Sequence, residues 1–155
     1  GYPLDKTYYQ TVKGMVAPID ILEPGGDLLI VSQCAEGMGS TEYVDAQRRL
    51  LGLGPEGFMA DIGAKRFADI DEWQTQMQLK PMRVGRVRLY TDGLDARDAA
   101  LTGVERVTDL TGFASMVVNP FEHMKLGGSV RENKVRREAP SYLTACGLAM
   151  RRFMQ

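Results

Sequence analysis

The chain has 155 residues, 44% of them hydrophobic and 25% charged, so it is long enough for one domain with a substantial core. Its formal net charge of −1 offers no electrostatic argument for nucleic-acid binding. No run of about 18 apolar residues predicts a membrane span, and no signal peptide is expected. Cys34 and Cys146 lie in apolar stretches, which predicts reduced, buried thiols and a cytoplasmic location.

The first predicted element is a helix over residues 6–15, with Asp5 as the capping residue. Gln10 and Lys13 are three residues apart, so on this helix their side chains share one face. An amide beside an ammonium suits a ligand that carries a carboxylate. The more common meaning of such a pair is a solvated helix surface, and the spacing alone leaves both interpretations open.

The next elements are separated by proline and glycine. Residues 19–22 form a further helical turn after Pro18, and a continuous apolar run over residues 28–31 predicts a strand buried on both faces. An amphipathic helix follows over residues 41–51 and ends at Gly52 and Gly54.

A second amphipathic helix contains the one tryptophan, Trp73, together with Met77. Asp69 or Asp71 is its predicted cap, and Pro81 its predicted end. A single tryptophan on such a helix usually belongs to the core, so its position alone does not indicate a site.

The remaining strands are predicted over residues 86–91, 104–110 and 115–118, and a closing helix over residues 139–153. The strand over residues 86–91 carries arginines and is expected to be less buried than the first. Strands that alternate with helices predict a single α/β domain, a three-layer sandwich around a central, mostly parallel sheet.

In such a sheet, sites gather beyond the carboxyl ends of the strands, where residues 34–40 and Asp92-Gly93 lie. The segment Gly37-Met38-Gly39-Ser40-Thr41 resembles a phosphate cradle, because its glycines let backbone amides approach an anion. It lacks the Lys-Ser/Thr ending of a P-loop, so a plain strand-to-helix turn is the favoured interpretation.

Several short segments occur in an order and spacing that is moderately specific. They are Tyr2-Pro3-Leu4-Asp5, Tyr9-Gln10 with Lys13-Gly14, Glu23-Pro24-Gly25-Gly26, Glu36-Gly37-Met38-Gly39, Asp71-Glu72-Trp73-Gln74, and Val87-Arg88-Leu89-Tyr90-Thr91 with Asp92-Gly93-Leu94. Through them, residues 1–110 resemble the C-terminal domain of the nickel-dependent lactate racemase family.

A second resemblance covers residues 113–155. Val117-Val118-Asn119-Pro120-Phe121 and the later Ala145-Cys146-Gly147-Leu148-Ala149-Met150-Arg151 are similar to the C-terminal tail of actin-like type IV pilus assembly proteins. The chain is therefore interpreted as two fragments that meet near residues 109–114, an engineered or recombined chimera. Residues 111–155 would supply a strand and a helix that complete the same domain as residues 1–110.

The racemase resemblance implies a half-site for the carboxylate of a 2-hydroxy acid. In it Lys13 would meet the carboxylate, Gln10 would add a hydrogen bond, and Trp73 would form a wall opposite Tyr9. The family also implies a nickel-pincer nucleotide, held covalently by a lysine and ligated by a histidine of an N-terminal domain, and a pair of histidine acid/bases. None of these groups is expected in this chain, whose one histidine is His123.

The leading hypothesis is therefore a racemase-like C-terminal domain with no catalytic and no metal-binding residue of its own. Its partners would be a missing N-terminal racemase domain and, weakly, a small 2-hydroxy acid, with no nucleic acid and no membrane. The alternative is a structural or interaction module without a ligand, either a chimera or a pilus-assembly-type adaptor.

Overall fold

A computed structural model describes residues 1–108, which belong to a compact unit running from Gly1 to Leu110. The elements in chain order are α1 (Tyr8–Val16), a 3-10 turn (Ile19–Ile21), β1 (Asp27–Val31), α2 (Thr41–Ala64), α3 (Glu72–Val84), β2 (Arg86–Tyr90), α4 (Ala96–Leu101) and β3 (Glu105–Val107). This order confirms the predicted α/β class. The predictions for residues 115–118 and 139–153, and those for His123 and Cys146, lie outside the described residues.

The three described strands form a parallel sheet in the order β1-β2-β3. β2 is the central strand, with Val87 6% and Leu89 1% exposed. β1 has a neighbour on one side only in this part of the chain, and Val31 is 61% exposed. The prediction that β1 is the more buried strand was therefore wrong, because position within the sheet outweighs the apolar character of the run. Within residues 1–108, no helix is long and apolar enough to cross a membrane.

The start of α1 differs from the prediction. Thr7 caps the helix, and its hydroxyl accepts from the Gln10 amide (3.3 Å). The carbonyl of Asp5 instead accepts from the Cys34 amide (2.7 Å), and the carbonyl of Lys6 accepts from Glu36 (2.7 Å). Asp5 was the wrong cap because this backbone pairs with the loop after β1, so the chain turns into a helix two residues later.

The first helical segment of α2 ends at Gly54, as the sequence predicted, and a second segment follows. Gly54 has φ 71° and ψ 171°, a conformation that glycine adopts readily. Pro55 then begins a second helical segment that continues to Ala64. Proline suits the first helical position, since its missing amide hydrogen would have no partner there.

α3 continues through Pro81 to Val84, so its predicted end was wrong. Pro81 is buried, and its carbonyl accepts from the Gly85 amide (3.0 Å). α4 was not predicted at all. Its signal in the sequence is Asp95, whose carboxylate accepts from the Asp98 amide (2.8 Å) and caps the helix.

A buried hydrogen-bond network joins α1, α2, α3 and the end of α4. The Gln78 side chain accepts from the Tyr8 hydroxyl (3.0 Å) and from the Gln47 amide (2.9 Å), and it donates to the Thr102 carbonyl (2.6 Å). Gln47 also donates to the Tyr43 hydroxyl (2.7 Å). Burial raises the pKa of both phenols, so they remain neutral. The network fixes α1 against α3, the two helices that carry the candidate site.

Candidate functional site

The loop after β1 packs closely against the start of α1. The carbonyls of Gly37 and Met38 accept from the amides of Tyr8 (2.9 Å) and Tyr9 (3.0 Å). Gly39 has φ +123°, and a Cβ there would come within 2.9 Å of the Tyr9 Cβ. The loop thus presents carbonyls to the helix start, and its glycine permits a close approach. This geometry favours the interpretation of the loop as a plain strand-to-helix turn and not as a phosphate cradle.

Three of the predicted site residues form a contiguous row of contacts. The Lys13 ammonium lies 5.1 Å from the centroid of the Tyr9 ring. The Trp73 ring meets the same phenol ring in an edge-to-face contact, with centroids 6.2 Å apart and planes at 86°. Trp73 is 48% exposed and Lys13 is exposed, so neither side chain belongs to the core.

A cavity of about 460 Å³ lies between α1, the carboxyl end of β1 and the first residues of the chain. Its polar wall includes Gln10 and Lys13, which the structure brings together as their helical spacing predicted. Its apolar wall includes Leu29 and Ile30. Trp73 is not among the residues that line it, so the predicted half-site is divided between this cavity and the Tyr9–Trp73 contact beside it.

A small cluster of hydroxyl groups and a thiol adjoins the cavity. The Thr11 and Ser32 hydroxyl oxygens are 2.5 Å apart, and both line the cavity. The Cys34 sulphur lies 3.4 Å from Ser32 Oγ and 3.5 Å from Thr11 Oγ1, fully buried. Cys34 is a free, buried thiol, as the sequence predicted. Thr11 and Ser32 were not among the predicted site residues. Their signals in the sequence were the position of Thr11 next to Gln10 and that of Ser32 directly after β1.

The described residues do not fit a metal centre. Over residues 1–108, no three or more side chains of His, Cys, Asp or Glu are grouped so that they could hold a metal ion. The Cys34 thiol lies within hydrogen-bond distance of the Thr11 and Ser32 hydroxyls. This part of the chain therefore offers no ligand set for the nickel that the family resemblance implies.

The first turn of α3 is anchored by a cluster of charges. The Glu72 carboxylate, 2% exposed, accepts from Arg49 Nη2 (2.6 Å), Lys65 Nζ (2.7 Å) and the Asp69 amide (2.9 Å). Asp61 and Asp69 pair with the same two cations on the solvent side. Burial pushes the pKa of Glu72 upward, but hydrogen bonds from Lys65, the Asp69 backbone amide and Arg49, together with the positive charge of Arg49, outweigh it and the pKa is lowered.

This lowered pKa predicts a specific loss of stability in acid. Glu72 contributes its full stabilisation above the unfolded value of about 4.3, and the contribution disappears as the pH falls through the lower folded value. We expect the free energy of unfolding to fall on acidification more steeply in the native protein than in Glu72→Gln. Urea unfolding from pH 7 to pH 2.5 measures this, and parallel curves for the two proteins would contradict it.

Family models match two overlapping parts of the chain. The family model for the lactate racemase C-terminal domain matches residues 1–112, nearly three quarters of the chain. The chain belongs to the lactate racemase C-terminal domain family. A second model, for the type IV pilus assembly protein PilM, matches residues 97–153 and so overlaps the first over residues 97–112. Both resemblances that the sequence indicated are therefore confirmed.

One relative of this chain has a solved structure with a similar fold. The lactate racemase of Thermoanaerobacterium thermosaccharolyticum is 26% identical over 132 residues, which cover 77% of this chain and 29% of that protein. The structure of its apoprotein superposes with a TM-score of 0.59 at 26% identity, covering 71% of this chain and 26% of that one. The chain thus spans less than a third of the length of the relative that it matches.

Proposed function

We propose that this domain supplies one half of a binding site for the carboxylate of a 2-hydroxy acid. The observation that carries the proposal is the exposed Lys13 ammonium, which lies over the Tyr9 ring and shares the wall of a cavity with Gln10. The membership of the chain in the lactate racemase C-terminal domain family supports this choice of ligand.

The proposed roles follow from the chemistry of the side chains. Lys13 pairs with the carboxylate, and the Gln10 amide donates a hydrogen bond to a carboxylate or hydroxyl oxygen. The Tyr9 ring lies under the ammonium and the Trp73 ring contacts Tyr9, so an aromatic surface adjoins the cation. This arrangement can hold and orient a small anion, but it contains no paired acid and base.

We propose further that the chain alone does not catalyse racemisation. Inversion at a carbon requires an acid/base group on each of its faces. The sequence has one histidine, His123, and Lys13 approaches from one side only. The acid/bases and the nickel-pincer nucleotide that the family resemblance implies would come from an N-terminal racemase domain, in keeping with the 29% of the relative's length that this chain covers. A cytoplasmic location is part of this proposal, since the Cys34 thiol is free.

Binding of lactate tests the half-site directly. Because the ion pair is exposed, it contributes about 0–1 kcal/mol, whereas a millimolar dissociation constant needs roughly 4 kcal/mol. We expect lactate binding to saturate at millimolar concentrations or above. The fluorescence of Trp73 and the side-chain NMR signals of Lys13 monitor the titration. Lys13→Met should weaken lactate binding by up to about fivefold, the equivalent of 1 kcal/mol. The control Lys80→Met, at an exposed lysine of α3, should leave it unchanged.

Three results would contradict the proposal. Saturation at micromolar lactate would show a complete pocket, and racemase turnover above background with nickel and lactate would show a complete active site. A lactate affinity that Lys13→Met leaves unchanged, as the Lys80→Met control does, would remove the half-site. The alternative function is then a structural or interaction module, for which the match of residues 97–153 to a pilus assembly protein is the supporting observation.

A further inference from the structure

The hydroxyl groups of Thr11 and Ser32 form a fixed part of the cavity wall. Both residues line the cavity beside α1, and they are only 4% and 5% exposed. The Ser32 amide donates to the Tyr90 carbonyl of β2 (3.1 Å), and the Thr11 amide donates to the Thr7 carbonyl at the start of α1 (3.1 Å). Hydrogen bonds of the sheet and of the helix therefore hold the backbone of both residues in place.

The number of hydrogens sets the direction of the bonds in this pair. A hydroxyl group has one hydrogen to donate and two lone pairs with which to accept. The Thr11 hydroxyl donates to the Thr7 carbonyl (3.0 Å). In the 2.5 Å contact between the two hydroxyl oxygens, Ser32 is therefore the donor and Thr11 the acceptor.

This direction leaves Ser32 with acceptor capacity only. Its hydrogen goes to Thr11, and the Cys34 thiol, with its sulphur 3.4 Å from Ser32 Oγ, can donate to one of the two lone pairs. Within residues 1–108 no other group donates to Ser32 Oγ. Since a buried polar atom is more stable with its hydrogen bonds made, this oxygen favours a ligand that brings a donor.

The other side chains of α1 in the cavity wall offer donors. The Lys13 ammonium has three donors and no acceptor, and the Gln10 amide nitrogen adds two more. A ligand that suits both parts of the wall carries an anionic acceptor and, next to it, a group that donates. A 2-hydroxy acid combines the two. An acid without the hydroxyl lacks the donor, and a 2-oxo acid has an acceptor in its place.

We propose that Ser32, oriented by Thr11, is a specificity-determining residue that accepts a hydrogen bond from the hydroxyl of the ligand. The cavity then prefers a 2-hydroxy acid to the unsubstituted acid and to the 2-oxo acid of the same length. The proposal rests on the proposed function, because it takes Lys13 as the partner of the carboxylate. The Asp5 carboxylate also lines the cavity and can accept, but its charge repels that of the ligand, so Ser32 is the better partner.

Titrations of the native protein with lactate, propionate and pyruvate, followed by NMR, test this preference. We expect lactate to bind roughly twofold to tenfold more tightly than the other two acids, the range that one net hydrogen bond gives. Lactate, and not propionate, should shift the Ser32 amide signal. Ser32→Ala should lower the affinity for lactate to that for propionate and leave propionate binding unchanged. A purely structural role of Ser32 would instead change the affinities for all three acids by the same factor.

Thr11→Val tests the direction of the hydrogen bonds. It removes the oxygen that accepts the Ser32 hydrogen and so frees this hydrogen for the carbonyl of pyruvate, whose affinity should rise toward that of lactate. The Thr7 carbonyl keeps the backbone amide of residue 11 as a donor, so the start of α1 is preserved. Thr11→Ser retains the hydroxyl and is the matched control, with the native order of affinities expected.

Equal affinities of the native protein for the three acids would overturn the proposal, as would a lactate preference that survives Ser32→Ala and disappears in Asp5→Asn. The two proposals fail separately. If Lys13→Met weakens the binding of all three acids but the native protein does not distinguish them, the carboxylate site stands and selection by Ser32 is wrong. If Lys13→Met changes no affinity while Ser32→Ala removes the preference for lactate, the carboxylate site is wrong and the hydroxyl contact stands.

Discussion

Replacing Arg49 and Lys65 together by methionine is expected to lower the free energy of unfolding by about 3–5 kcal/mol. The Glu72 carboxylate is 2% exposed, and this double substitution removes both of its cations. The Asp69 amide would remain as its partner, which does not compensate a buried charge. Each single substitution should cost less than half as much, since the other cation stays within hydrogen-bond distance.

Guanidinium or urea unfolding at pH 7 measures this loss. Arg48→Met is the matched control, because Arg48 is on the same helix and pairs with Asp45 at 2.7 Å in an exposed ion pair. Such a pair contributes within about 1 kcal/mol. The cost of the double substitution should shrink toward pH 3 as Glu72 gains a proton. If the double variant were as stable as the control at pH 7, the cluster would not anchor α3.

Gly93→Ala is expected to destabilise the protein by about 3 kcal/mol. A Cβ at this position would lie 2.2 Å from the Gln33 carbonyl oxygen and 2.5 Å from the backbone of Cys34. Both obstacles are backbone atoms, which cannot move aside as a flexible side chain would. The loops after β1 and β2 meet here, and the Thr91 hydroxyl donates to the same Gln33 carbonyl (2.9 Å). The substitution would therefore displace the loop that packs on α1.

The control is another glycine with open surroundings. Gly52 lies in α2, and a Cβ there would meet nothing within 4 Å. Gly52→Ala should therefore stabilise the protein by about 0.5–1 kcal/mol through helix propensity. Thermal and chemical unfolding of the two variants distinguish the effects. If Gly93→Ala were as stable as the native protein, the loops after β1 and β2 would be able to move apart and accommodate the added Cβ, and the prediction would be wrong.

The sequence by itself determined the features that depend on neighbouring residues. Apolar runs and turn residues located all three described strands, because strand length and alternation are local properties. Helical spacing placed Gln10 and Lys13 on one wall, since residues three apart share a face whatever surrounds the helix. The order of short segments indicated the family over residues 1–110, and the family model matches residues 1–112.

The tertiary structure alone decided which partners the polar groups found. Thr7 replaced Asp5 as the cap of α1 because the preceding backbone pairs with a loop some thirty residues later. Asp71 stands at the cap position of α3, but its carboxylate accepts from the Ser40 hydroxyl (2.6 Å), which lies 31 residues earlier in the chain, and from no amide of its own helix. A hydrogen bond or a close ion pair forms only when the two groups lie within a few ångströms of each other. Which distant segments come that close is decided by the tertiary fold, and the residues next to each group in the sequence do not indicate it.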